Sequence, residues 1–302
     1  MHKGPVTLSL AVITKNRSGD LHGCVSSIAR QTDIPNEILI IDSSTNDRTR
    51  VLCEHYRRHS KLPVRYFFEP KPGYATSRNR AIKESRSCWL GFVDDDCVLD
   101  TEWVKTMRTT LKRYSHVAAI EGESRTYFPQ NIYALALQFY EVLWKKNAIV
   151  DHQIIDMEIL DTKNIVYNRP ILVKNKLIFR NEFIREKYLT TDDIDMGMQL
   201  QRLGGVAIYQ EKAIVYHKDP IDLFAYLKKI ITDAISYTFY LKRWERERKK
   251  IDRSVLFTKD DCQSYIIDVY KIPLYKRIAL SLLITLTDRI LFCVPLLTRL
   301  YV

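Results

Sequence analysis

The chain has 302 residues, of which 46% are hydrophobic and 27% charged, with 47 Lys and Arg against 36 Asp and Glu. This composition excludes a disordered, collagen-like or low-complexity protein, and the length suffices for one large domain or two smaller ones. The net charge of +11 indicates an anionic partner, such as a nucleic acid, a phosphorylated ligand or an acidic membrane surface.

The first 120 residues alternate between strand-like and helix-like patterns. Continuous apolar runs predict strands, and apolar residues at helical spacing predict the helices between them. The predicted strands cover residues 8–13, 37–42, 64–68, 88–93 and 117–121. The predicted helices cover residues 21–28, 46–59, 76–85 and 101–114. This alternation predicts an α/β fold with a mostly parallel sheet flanked by helices.

The rhythm changes after about residue 125. A helix rich in Leu and aromatic residues is predicted over 131–147, and a helix over 192–203 ends at Gly204-Gly205. Strands predicted at 206–209 and 213–216 lead to His217. We expect a boundary near residue 220, followed by a helical extension.

The extension is the basic part of the chain. Residues 224–302 hold 15 Lys and Arg against 8 Asp and Glu, a net charge of +7, whereas residues 1–223 hold 32 against 28. Residues 278–302 are almost wholly apolar, but Asp288-Arg289 in their middle and Pro295 disfavour a spanning helix. We expect peripheral contact with the anionic inner face of the cell membrane. A homo-oligomer contact, and a solvated helix over the charge run 242–250, are the alternatives.

The cysteines and the N-terminal region indicate a cytoplasmic protein. Six scattered cysteines contain no C-x-x-C pair, which disfavours a zinc site and a disulfide framework. The apolar run at 6–13 is too short for a secretory signal and is followed by Thr14-Lys15 rather than by a cleavage site.

Polar segments follow each of the first four predicted strands. In parallel sheets, ligands bind outside the carboxyl ends of the strands. The segments are residues 14–17, 42–44, 70–80 and 94–96. Asp42 can accept hydrogen bonds from a base or ribose, or form a local turn with its own backbone. Arg78 lies shortly after Gly73 at a helix start, where phosphates bind. A basic surface helix is the alternative.

Asp94-Asp95-Asp96 follows a continuous apolar strand. Because three adjacent carboxylates repel one another, a divalent cation is a natural partner for them at a strand end. A solvated acidic turn is the alternative. His217 can be a metal ligand or have a local structural role.

Asp192 and Asp193 open a predicted helix. Acidic residues stabilise a helix N-terminus, but two neighbouring acids can also divide their roles, so that one orients the site and the other acts as a base.

Taken in order, five segments resemble the motifs of glycosyltransferase family 2, a family of typically inverting, sugar-nucleotide-dependent enzymes with a GT-A fold. They are LAVITKNR, IIDSSTND, GYATSRNR, FVDDDCVLD and TDDIDMGMQLQRLGG, and they fall within residues 6–218. The resemblance implies a GT-A-type, Rossmann-like catalytic domain over 1–220. Its nucleotide-binding half covers about 1–122 and its acceptor half about 123–220.

The resemblance also implies roles for individual residues. The implied nucleotide contacts are Thr14, Asn16, Arg17, Asp42, Arg78, Asn79, Asp94 and Asp95. Asp94 and Asp96 take the two D-x-D positions and, with His217, would hold Mn²⁺ or Mg²⁺. Asp193 takes the position of the catalytic base, and Asn164 and Asp192 lie on the acceptor side. Asp192 stands where Glu is more usual, and Gln199 where Arg is common.

The implied activity is metal-assisted, inverting transfer of a sugar from a nucleoside-diphosphate sugar to an acceptor hydroxyl. A UDP-sugar is the favoured donor, with GDP and dTDP as alternatives. The acceptor would be a glycan or a lipid-linked molecule in cell-surface polysaccharide or glycoconjugate synthesis.

Two other functions compete with this one. A sugar-nucleotide pyrophosphorylase-like nucleotidyltransferase would need a glycine-rich loop after the first strand, but TKNRSGD has a single Gly. A basic nucleic-acid-binding protein is disfavoured, because no recognised nucleic-acid-binding signature occurs and the basic excess lies beside an apolar segment.

Overall fold

The computed structural model of the protein describes residues 6–71, 73–151, 153–180, 191–245 and 257–300. These residues form two compact units. The first holds residues 6–125, 150–180 and 192–217, and the second holds the described residues of 126–149 and 218–300 together with Thr191. The second unit thus includes a segment from inside the predicted region 123–220, so the predicted boundary at residue 220 does not separate the units by a single cut.

The first unit contains the sheet, and its strands alternate with helices along the chain. The strands are β1 (Leu8–Thr14), β2 (Glu37–Asp42), β3 (Val64–Phe68), β4 (Trp89–Asp94), β5 (Cys97–Leu99), β6 (Ala119–Thr126), β7 (Ile149–Asp151), β8 (Ile154–Ile155), β9 (Asn164–Asn168) and β10 (Ala207–His217). Its helices, numbered with those of the second unit, are α1 (Ser18–Ala29), α2 (Arg48–His59), α3 (Tyr74–Glu84), α4 (Trp103–Arg113), α6 (Arg169–Lys174) and α7 (Asp192–Arg202). The α/β fold is confirmed.

Within the described residues, the strand order is β3-β2-β1-β4-β9-β6-β10-β8-β7, and β5 pairs with β10. The four strands β3, β2, β1 and β4 are parallel, whereas β9 runs antiparallel to both β4 and β6. The central strands β1 and β2 are buried along nearly their whole length, which explains why they are continuous apolar runs. Their carboxyl ends meet at one edge, where Thr14 pairs with Asp42 and Ile13 with Asp94.

Several elements differ from the predicted ones, and three of the differences have a clear physical reason. The short strand β5 was not predicted, because three residues carry too little periodicity and its partner β10 lies over 100 residues away. Strand β10 is one strand rather than two, since the polar residues at 210–212 lie in its exposed middle. Helix α3 begins at Tyr74, directly after Gly73, whose φ of 131° favours glycine.

The second unit is helical. It contains α5 (Ile132–Ala148), α8 (Leu223–Trp244), α9 (Lys259–Tyr270) and α10 (Leu274–Leu300). These helices share a core that includes Phe139, Ile230, Ile266 and Leu280, all at most 3% exposed. Burying each such side chain, relative to leaving it exposed to water, stabilises the folded state by about 1.5–3 kcal/mol.

Asp288, the acid in the apolar C-terminal segment, is paired inside this unit. Its carboxylate accepts hydrogen bonds from the Tyr140 hydroxyl at 2.9 Å and from Lys259 Nζ at 2.6 Å. Burial and the neighbouring Asp288 carboxylate raise the pKa of Tyr140 above its usual range. The charge is therefore satisfied by helix packing.

In the described ranges, no helix has both the length and the apolar character needed to cross a membrane. The charge run predicted over 242–250 is described only as far as residue 245, so most of it lies outside the described residues.

The packing of α7 predicts a sharp contrast between two Gly→Ala substitutions. A Cβ at Gly197 would lie 1.9 Å from the Met157 carbonyl oxygen, whereas a Cβ at Gly19, in the first turn of α1, has no atom within 4 Å. We expect Gly197→Ala to lower the free energy of unfolding by about 3 kcal/mol through overpacking. Gly19→Ala should raise it by about 0.5 kcal/mol. Urea unfolding measures both, and equal effects would contradict this packing.

Candidate active site

Asp94, Asp96 and His217 lie together at the carboxyl edge of the sheet. One potential ligand atom of each lies within 4.8 Å of the others, and all three side chains are half-buried. The pairing of β5 with β10 sets His217 beside Cys97, so that its Nε2 lies 3.5 Å from Asp96 Oδ1. Burial, followed by the charge of Asp96, raises the pKa of Asp94 to about 6.

These three residues fit a divalent metal ion. Two carboxylates and one imidazole are suitable donors for a cation such as Mn²⁺. Asp96 Oδ1 is buried and has no hydrogen-bond partner among the described residues. Because such an atom costs free energy when unpaired, a cation is its natural partner.

Arg17 connects the first loop to the acidic segment. Its guanidinium pairs with Asp95 and donates a hydrogen bond of 2.9 Å from Nη1 to Asp96 Oδ2. Asp95 is 1% exposed and also accepts a hydrogen bond of 2.7 Å from Thr14 Oγ1. Thr14 and Asp95 thus hold the strand ends together. Thr14, Arg17 and Asp95 are predicted nucleotide contacts, and those contacts stay predictions.

Asn16, just after β1, and Asp42, at the end of β2, also accept hydrogen bonds from neighbouring residues of the fold. Asn16 has a positive φ of 58°, which Asn tolerates, and its Oδ1 accepts from Thr45 N at 3.0 Å. Asp42 is 1% exposed and accepts from Ser44 N and Tyr66 Oη, both at 2.9 Å. Asp42 therefore forms the local turn that the sequence left as an alternative, and its contact with a nucleotide stays a prediction.

Arg78 and Asp192 form a buried ion pair. Arg78 Nη1 lies 2.6 Å from Asp192 Oδ1, and both side chains are less than 10% exposed. Burial lowers the pKa of Arg78, but the carboxylates of Asp192, Asp193 and Asp94 outweigh that effect and raise it above its usual range. Arg78 Nε and Asp192 Oδ2 are buried without a hydrogen-bond partner in the part of the chain that the structure describes.

Asn79 anchors a neighbouring segment of the chain. Its side chain donates to the Phe179 carbonyl at 2.8 Å and accepts from the Phe179 amide at 2.9 Å. Both groups of the amide are therefore used within the fold, and its predicted role in nucleotide binding stays a prediction.

Asp193, at the start of α7, is half-buried. Burial, followed by the charges of Asp161 and Asp192, raises its pKa to about 7. A carboxylate with such a pKa is a stronger base than an ordinary Asp and still loses its proton near neutral pH. This property is what a general base requires.

Asn164 is 1% exposed, and its amide is used within the fold. It donates to the carbonyls of Glu123 and Ala213, both at 2.9 Å, and accepts from Trp103 Nε1 at 2.8 Å. These bonds indicate a structural role, and its place on the acceptor side stays a prediction. Gln199 is likewise buried and donates to the Ile178 carbonyl and to Asp195.

Two residues near the site were missed by sequence reasoning. Asp161 acts electrostatically on both Asp94 and Asp193, and its Oδ1 accepts from the Lys163 amide at 2.9 Å. An Asp three residues before Asn164, the residue predicted on the acceptor side, was an available signal. Tyr74 is 55% exposed, and its ring centroid lies 5.5 Å from the Arg78 guanidinium carbon.

Comparisons with known proteins place the chain among glycosyltransferases. Among curated proteins, the lipopolysaccharide core biosynthesis glycosyltransferase LpsC of Rhizobium meliloti (strain 1021) is 32% identical over 93 residues, which are 31% of this chain and 33% of that protein. The chain spans only 17% to 33% of the length of the first three curated relatives that it matches.

Two solved structures share the fold. The mannosyltransferase PcManGT from Pyrobaculum calidifontis, in complex with GDP-Man and Mn²⁺, has a TM-score of 0.64 at 17% identity, over 92% of this chain and 74% of that one. S. aureus TarS 1-349 in complex with UDP-GlcNAc has a TM-score of 0.55 at 14% identity, over 87% and 71%. At these identities the likeness establishes the fold, which is of the GT-A type predicted from the sequence.

The family model for glycosyl transferase family 2 matches residues 9–174, more than half of the chain. This match covers all four polar segments at the carboxyl ends of the parallel strands. It decides against the pyrophosphorylase-like and nucleic-acid-binding alternatives. The chain therefore belongs to glycosyl transferase family 2.

Proposed function

We propose that this protein transfers a sugar from a nucleoside-diphosphate sugar to an acceptor hydroxyl, with inversion at the anomeric carbon and with Asp193 as the general base. Family membership supports sugar transfer. The inverting mechanism, the use of a metal and the identity of the base go beyond family membership and are argued from the site.

The observation that carries the proposal is a set of buried polar atoms that lack a hydrogen-bond partner in the described residues. They are Arg78 Nε, Asp96 Oδ1 and Asp192 Oδ2. Each such atom costs about 1–3 kcal/mol when it is left unpaired. Since they comprise one cationic donor and two anionic acceptors, the site suits a ligand that brings both anionic oxygens and a cation or hydroxyl groups. A nucleoside-diphosphate sugar with a divalent ion has this chemistry.

Asp94, Asp96 and His217 would hold the metal ion. When bound, a divalent cation neutralises charge on the diphosphate leaving group. Arg78 would support the same charge from the protein, because its guanidinium lies near Asp94 and Asp193 and its buried Nε has no hydrogen-bond partner in the described residues.

Asp193 would accept the proton of the acceptor hydroxyl. The hydroxyl oxygen then forms a bond to the anomeric carbon, and the bond from that carbon to the diphosphate breaks, so that the nucleoside diphosphate leaves with the electron pair. Attack from the face opposite the leaving group inverts the anomeric configuration. Asp192 would not compete for the proton, since its carboxylate is paired with Arg78.

The names of relatives and structural neighbours support the choice of donor and acceptor. Structural neighbours are complexes with GDP-Man and with UDP-GlcNAc, so both UDP and GDP sugars are candidates. We keep a UDP-sugar as the favoured donor. A lipopolysaccharide core glycosyltransferase and a chondroitin synthase among the curated relatives support a glycan or lipid-linked acceptor in cell-surface synthesis.

The base assignment predicts a separation of binding from turnover. Asp193→Asn removes the proton acceptor but keeps the shape of the side chain, so we expect transfer to fall at least about 100-fold while UDP affinity stays within about twofold. Release of UDP or GDP from a panel of sugar nucleotides measures turnover, and calorimetry measures affinity. Asp260→Asn, in the exposed first turn of α9, is the matched control. Wild-type turnover in Asp193→Asn would refute the assignment.

The raised pKa of Asp193 predicts the pH dependence. The base acts when deprotonated, so a pKa of about 7 should make kcat/KM fall about tenfold for each pH unit below 7. Asp161→Asn removes a negative charge that raises this pKa, and should therefore shift the acid limb to lower pH. Asp47→Asn, whose carboxylate is exposed, should leave the limb in place. An acid limb near pH 4 in the wild type would contradict the proposal.

The metal group predicts how cations affect nucleotide binding. Asp96→Ala removes one ligand, so calorimetry should show UDP binding in Mn²⁺ weakened at least about tenfold. Binding without Mn²⁺ should change little. His217→Ala should behave in the same way, while the control Asp47→Asn should match the wild type. Equal affinities for wild type and Asp96→Ala in Mn²⁺ would exclude the metal role of Asp96.

A further inference from the structure

Helix α10 buries one face in the core of the second unit and exposes the other. Leu280, Ile284 and Thr287 are buried. The exposed residues between Leu274 and Cys293, which we call the outer face, are Leu274, Tyr275, Arg277, Ile278, Ala279, Ser281, Leu282, Thr285, Leu286, Arg289, Phe292 and Cys293. Eight of these twelve are apolar.

The apolar residues of the outer face form a continuous stripe. Leu274, Ile278, Leu282 and Leu286 follow one another at intervals of four residues, with exposures of 71%, 62%, 67% and 47%. These four residues span 13 residues of the helix, or about 20 Å, and the whole outer face spans 20 residues, or about 30 Å. An exposed apolar surface of this extent marks an interaction site rather than ordinary solvent-facing helix.

The charges of the outer face indicate what covers it. It carries two arginines, Arg277 and Arg289, and no acidic residue. Asp288, the acid in this part of the helix, is turned towards Tyr140 and Lys259 instead. In a symmetric dimer formed through this face, the arginines of each copy would meet a surface that also carries arginines and no acidic residue. An anionic membrane meets both features of the outer face. Its headgroups carry the negative charge that pairs with the arginines, and its acyl layer covers the apolar stripe.

We propose that the outer face of α10 docks the protein onto an anionic membrane surface. The helix lies along the bilayer, with the stripe at the boundary between headgroups and acyl chains. Arg277 and Arg289 extend their long side chains to the phosphates. This assignment gives the expected peripheral membrane contact a defined surface, and it does not depend on the proposed catalytic function.

Vesicle flotation of the full chain tests the proposal. We expect the wild type to float with vesicles containing 30% anionic lipid but not with neutral ones, and to be released when salt is raised from 0.1 to 0.5 M. Ile278→Glu with Leu282→Glu should abolish flotation. Arg277→Gln with Arg289→Gln should weaken binding about 30-fold, from the contribution of two arginines near the surface. The matched control is Val51→Glu with Val173→Glu, which changes two exposed apolar residues elsewhere.

Circular dichroism and light scattering separate the outcomes. Folded variants that lose vesicle binding, with the control binding normally, support the proposal. A wild type that does not bind anionic vesicles overturns it, as does a Glu pair that binds normally. A wild-type dimer that the Glu pair converts into monomers, in a protein that does not float, identifies the outer face as a subunit interface instead.

Discussion

The electrostatic constraint on this structure is the crowding of carboxylates at the carboxyl edge of the sheet. Asp94 ends β4 and Asp95 and Asp96 follow it in a turn, while Asp192 and Asp193 begin α7. Without nearby cations this density would be unfavourable, because like charges in a partly buried place repel strongly. Arg17 and Arg78 supply the fixed positive charge, and each also ties a loop or helix to the edge. The same pairs therefore hold the fold and shape the site.

The sequence revealed the central strands because burial on both faces demands uninterrupted apolar residues. The predicted runs at 8–13, 37–42 and 88–93 agree within about one residue with β1, β2 and β4. It also revealed which carboxylates cluster, since parallel strands end at one edge. It did not reveal β5 or the inclusion of α5 in the second unit, because both depend on contacts between residues far apart in the chain.

Individual side-chain roles were harder to predict than positions. Asp42 and Asn164 do lie at strand ends, but the sequence alone does not show that their hydrogen bonds are used within the fold. Conversely, Asp161 influences the site through its charge although it lies outside the expected motifs. Asp288 gives the opposite lesson: an acid that disfavoured a spanning helix is neutralised by neighbours that only the tertiary structure brings near.

The close approach at Gly197 has a consequence for how this site can diverge. Gly197 is one helical turn after Asp193, so both lie on the same side of α7, and the Met157 carbonyl sets how deeply that side is seated. Any larger residue at 197 would lift the turn that carries the proposed base. Substitution of Gly197 is therefore restricted for two reasons. A larger side chain would destabilise the fold, and it would move the Asp193 carboxylate away from its position in the site. A glycine one turn from the proposed base thus fixes how closely the base-bearing turn of α7 packs on the fold.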